Sequence, residues 1–71
     1  MKKGDVIIFT KPVGNMERIV AEVERAPTAS GPFQPGSLAV VRDAHGQPHI
    51  FDAWVVDWEL LYEAPDAPHK N

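Results

Sequence analysis

Residues 27–37, Pro-Thr-Ala-Ser-Gly-Pro-Phe-Gln-Pro-Gly-Ser, set the first limit on what this chain can fold into. They hold three prolines and two glycines. Proline fixes φ and lacks the N–H that a helix or a ladder needs, so no regular element runs through this stretch. Helices and strands are confined to what lies before and after it. The chain has 71 residues, enough for one domain. A chain this short buries only about 60% of the surface its unfolded form exposes. It has no cysteine, so neither a disulfide nor a thiolate ligand contributes. Stability must come from apolar packing or from a partner.

Before the loop, Asp5–Thr10 is β-branched and aromatic and is bracketed by Gly4 and Pro12, which reads as a strand. It lacks alternation, so both faces can be covered. Residues 16–26 admit two readings. Met16, Ile19, Val20, Val23 and Ala26 form a helical stripe, with Asn15 as N-cap, Arg25 in the last turn and Pro27 as stop. The rival is a strand that buries Ile19, Ala21 and Val23. Caps and period favour the helix. After the loop, residues 38–42 read as a strand and residues 43–47 as a hairpin connection with Gly46 free to take positive φ. A return strand begins at His49. Residues 54–62 alternate, with Trp54, Val56, Trp58, Leu60 and Tyr62 on one face and Asp57 and Glu59 on the other, as a half-buried strand does. Residues 64–71 read as a flexible tail. The expectation is an α+β fold, a small antiparallel sheet with one short helix, over residues 1–63. If residues 16–26 are extended, the alternative is an all-β barrel.

Two family resemblances follow from these segments. The order of elements over residues 3–53 resembles the first half of the permuted papain-like cysteine peptidases and amidases. Gly4-Asp5-Val6-Ile7-Ile8-Phe9 matches their opening strand and Ile50-Phe51-Asp52-Ala53 their returning segment. Where that family places its histidine this chain has Ser37, and it has no cysteine, so the resemblance implies a binding domain without peptidase chemistry. With residues 16–26 extended, the chain instead resembles small src-homology-type β-barrels, among which the plasmid-borne dihydrofolate reductases work as tetramers. Their Gln-Ile-Tyr triplet is similar to His49-Ile50-Phe51 at Ile50 only.

Charge is uneven. Net charge is −3; Lys2, Lys3, Lys11, Arg18 and Arg25 lie in the first 25 residues, whereas Asp52, Asp57, Glu59, Glu63 and Asp66 lie in a stretch with no Lys or Arg. A phosphate-gripping protein needs a basic patch, so direct nucleic-acid binding is not expected, and the acidic stretch favours a basic partner. No long apolar run follows Lys2 and Lys3, and none reaches membrane-span length, so the expected location is cytoplasmic, in a bacterial or host cell.

Candidate chemistry is sparse. His45 and His49 are separated by Gly46 and Pro48, which prevent a helical metal site. No Gly-x-Ser-x-Gly elbow is present, and Asp57 and Glu59 read as exposed carboxylates rather than a proton-sharing pair. Residues 31–36 are too proline-rich to cradle phosphate with backbone N–H groups. The chain therefore reads as non-enzymatic, with no cofactor and no metal. The segment that suits recognition is residues 51–63, where large aromatics stand among carboxylates. Asp52, Trp54, Asp57, Glu59 and Glu63, with Phe33 from the loop, are the candidate partner-binding residues. Phe33 is otherwise expected to anchor its loop on the core. The function expected is a protein-protein interaction module that modulates a larger assembly with a basic surface. By analogy with small acidic phage-type regulators, host RNA polymerase or another nucleic-acid-handling machine is a natural target. A catalytically dead peptidase-like binding domain and a small homo-oligomeric enzyme are the alternatives.

Overall fold

The computed structural model describes residues 1–65. Five strands, β1 (Val6–Thr10), β2 (Arg18–Arg25), β3 (Leu38–Asp43), β4 (Pro48–Asp52) and β5 (Trp58–Tyr62), make one sheet in the order β4-β3-β2-β1-β5. Every pairing is antiparallel. β4 and β5 are the two edges.

No helix forms at residues 16–26, so the α+β expectation is corrected to all-β, the stated alternative. Arg18–Arg25 is the central strand, paired with β1 on one side and β3 on the other. Its burial has period two: Ala21 and Val23 are buried, while Val20, Glu22 and Glu24 are exposed. Met16, the first residue of the helical stripe, has φ 60° and is exposed, as is Val20. Local signals did not discriminate, because Asn15 and Pro27 end a strand as well as they end a helix. Ladder bonds on both sides, together with the β-branched Ile19, Val20 and Val23, decided it.

The core is one face of the sheet: Ile7, Phe9, Ala21, Val23, Ala39, Val41 and Phe51. Phe9 on β1 stacks on Phe51 on β4 with ring centroids 4.6 Å apart, although β2 and β3 lie between those strands. The sheet is therefore coiled so that its inner face closes on itself. Two features permit this. Ala21 and Ala39 on the intervening strands leave room for the rings, and register shifts in β2 and beside β5 add bend and twist.

Turns fix the rest. In the β3–β4 hairpin Gly46 has φ 79°, and the Asp43 carboxylate accepts the N–H groups of His45 at 2.8 Å and Gln47 at 3.0 Å. Residues 53–56 form a turn in which Asp52 C=O accepts Val55 N–H and Val56 N–H, so the expected strand 54–62 begins only at Trp58. At the N-terminus the buried Asp5 accepts the N–H of Lys2 and, from beyond β5, the N–H of Ala64. Burial by itself would raise its pKa; these bonds and the Lys2 ammonium bring it below the ordinary carboxylate value. The expected tail, residues 64–71, lies mostly outside the described residues.

Candidate interaction surface

The loop of residues 27–37 is organised around Asp52, at the end of β4. One carboxylate oxygen accepts Phe33 N–H at 2.9 Å and the buried Ser37 hydroxyl at 3.0 Å; the other accepts Trp54 N–H at 2.9 Å. The Phe33 N–H bond is the main cause that holds the Asp52 pKa below its ordinary value, with Trp54 and Ser37 adding to it against some desolvation. Trp54 Nε1–H donates to Ala29 C=O at 3.2 Å and binds the loop from its other side. Asp52 is thus an internal brace that accepts three hydrogen bonds, rather than a free acidic contact.

What the brace presents is Phe33. Its φ is 57°, a left-handed conformation uncommon for a bulky residue, and it is 84% exposed. The expectation that Phe33 anchors the loop on the core is corrected: Asp52 does the anchoring by hydrogen bonds, and the ring stands out in solvent. Beside it lies an apolar groove of about 450 Å³ lined by Pro12, Leu38, Val55 and Val56 among others. Pro12, Val55 and Val56 also line a second groove that reaches Met16 and Asp57. The two make one apolar surface from Met16 across to Leu38. Trp54, expected on an inward strand face, lies on the turn and is exposed.

The acidic residues run from Asp57, at the margin of the second groove, along β5 to its far end. Asp57 and Glu59 are exposed, as alternation indicated, yet both face Arg18 of β2, at 3.7 Å and 3.6 Å. Glu63 meets Lys2 at 3.2 Å. The charge segregation along the chain is therefore partly undone by folding, since β1 lies between β2 and β5. Two carboxylates share one guanidinium, and a net negative charge remains on that face. Exposed pairs of this kind contribute little to stability. Trp58 is half-buried under the turn, with Nε1–H donating to Ala53 C=O at 2.9 Å.

Sequence reasoning missed one cluster. His49 is half-buried, with its ring centroid 5.4 Å from that of Phe9 in an edge-on arrangement and Nε2 2.8 Å from Asp43 Oδ2. With the hairpin N–H bonds, that contact lowers the Asp43 pKa to about 2. The available signal was the strand period: His49 precedes Phe51 by two residues and shares its face. Among the described residues no helix is long and apolar enough to cross a membrane. Compared with known proteins, the chain matches no family model, no curated protein and no solved structure.

Proposed function

We propose that this chain is a non-enzymatic protein-interaction module that docks on a larger assembly through apolar contacts and a net acidic flank, and so modulates it. The observation that carries this reading is how the chain distributes its apolar side chains. Among the described residues seven hydrophobic ones are buried, whereas eleven large ones are exposed, from Val13 and Met16 to Leu61 and Tyr62. Scattered exposed apolar residues are ordinary, but contiguous ones rimmed by polar groups mark interaction sites. Phe33 strengthens the case, because a left-handed, solvent-facing aromatic whose N–H is held by Asp52, itself bonded to Ser37 and Trp54, is a strained feature without a packing role.

The partner surface is basic. Asp57, Glu59 and Glu63 lie together on β5 and its end, with Arg18 and Lys2 only partly offsetting them. The test is affinity capture on the full chain, comparing wild type with Phe33→Ser and with the double variant Asp57→Lys/Glu59→Lys. All three should melt at nearly the same temperature, because the changed side chains are exposed. Each variant should lose the captured protein, and raised salt should weaken the wild-type complex. A partner retained equally by all three proteins would remove both surfaces from the interface and defeat the reading.

A further inference from the structure

The outer edge of β5 is open, and its hydrogen-bonding pattern follows from the register. Thr10 N–H donates to Asp57 C=O at 2.9 Å, so Thr10 and Asp57 are a bonded pair. Bonded and non-bonded pairs alternate along an antiparallel ladder. Phe9–Trp58 is then non-bonded, Ile8–Glu59 bonded and Ile7–Leu60 non-bonded. The N–H and C=O groups of Trp58 and Leu60 consequently point away from β1. Among the described residues no strand pairs with that edge.

Side chains on this edge are equally defined. Trp58 and Leu60 lie opposite Phe9 and Ile7 and share the inner, apolar face. That face is not fully covered here: Trp58 is half-buried and Leu60 is 47% exposed. Asp57 and Glu59 lie on the outer face with their one shared guanidinium. The register shift opposite Val6 restricts the regular free edge to residues 57–60. Of the devices that blunt a free edge, β5 has its short length, Glu59 and the register shift beyond Leu60, but no lysine or proline within residues 58–62. β4, the opposite edge, begins at Pro48.

From this arrangement we infer that the β5 edge accepts an extended segment of the partner by strand addition, and that this segment alternates apolar and basic residues. The inference rests on the interaction reading above and specifies its mode. Partner residues opposite Trp58 and Leu60 bond to their outward backbone groups and cover the uncovered inner face, so they are apolar. Partner residues opposite Asp57 and Glu59 point to the acidic outer face, so they are lysine or arginine. Charge opposes a second copy of this chain as the occupant in the registers that pair Trp58 with Leu60 or with itself. The register that pairs Trp58 with Leu60 of another copy sets Glu59 against Glu59, and the one that pairs Trp58 with Trp58 sets Asp57 against Glu59. Like charges directly opposite are destabilising.

The test uses the full chain, isotope-labelled, titrated with a short capped peptide of alternating lysine and valine at millimolar concentration. Amide shifts should move at Trp58 and Leu60, and hydrogen exchange there should slow by about tenfold or more. A glutamate–valine peptide should do neither. A lysine–valine peptide N-methylated at alternate residues should bind in one methylation phase and fail in the other, because only one phase needs its N–H groups. Leu60→Pro removes an outward N–H without breaking a bond to β1, and it should abolish both the peptide response and capture of the partner. No response, a response centred on the Phe33 groove, or equal binding of both methylated peptides would overturn strand addition. So would a dimer in sedimentation that Leu60→Pro dissolves. If Leu60→Pro still captures a partner that Asp57→Lys/Glu59→Lys loses, the interaction reading stands and strand addition alone fails.

Discussion

Ile→Val removes one methyl group wherever it is made, and this chain offers that change at three depths. Ile7 is completely buried on the inner face of β1, its neighbour Ile8 is half-buried on the outer face, and Ile50 on β4 is 64% exposed. Removing a buried methyl forfeits its transfer free energy and leaves a small void, a loss of about 0.5–1.5 kcal/mol in a close-packed core. Ile7→Val should sit in the upper part of that range, because Ile7 lies among Phe9, Ala21, Val23 and Val41 in the core cluster. Ile8→Val should cost a fraction of it, and Ile50→Val should stay within about 0.5 kcal/mol of zero. A domain of this size has a total stability of roughly 4–11 kcal/mol, so the largest loss is measurable and leaves the protein folded. Urea unfolding with an m-value near ~1 kcal/mol/M would place the Ile7→Val midpoint about 1 M below wild type, with the slope unchanged. If Ile50→Val costs as much as Ile7→Val, or Ile8→Val costs more, the inner face has been assigned to the wrong residues and the register fails with it.

Two further outcomes follow from the turns. Asp43 has its pKa lowered from 3.8 to about 2, so between these values the unfolded chain binds more protons than the folded one. Its stabilising effect is complete above pH ~4 and is lost as pH falls through about 2. Stability measured against pH should decline across that window in wild type, and the decline should be smaller in Asp43→Asn. Gly36 and Gly46 both have positive φ, but a Cβ on Gly36 would stand 2.5 Å from Thr28 Oγ1 whereas one on Gly46 meets open space. Gly46→Ala should therefore cost about 1 kcal/mol of backbone strain alone, and Gly36→Ala should lower the melting temperature clearly further.

Local chemistry determined much of this fold from the sequence alone. Proline and glycine made residues 27–37 a loop, Gly46 turned the β3–β4 hairpin, and the β-branched run after Asp5 became β1, because in each case the constraint lies within a few residues. Alternation also placed Asp57 and Glu59 on an exposed face. Residues 18–25 were different. Their periodicity and end signals suit a helix or a strand, and the choice depended on having β1 and β3 as neighbours, which no local pattern contains. The same holds for the surfaces. Phe33 is exposed because Asp52, nineteen residues away, takes its N–H. The acidic half of the chain is partly neutralised because β2 and β5 flank β1 and bring Arg18 to Asp57 and Glu59. The free edge of β5 exists only because that strand ends the sheet. Sequence specified which segments extend and which turn; strand order, a property of long-range pairing, decided which charges meet and which backbone groups remain open.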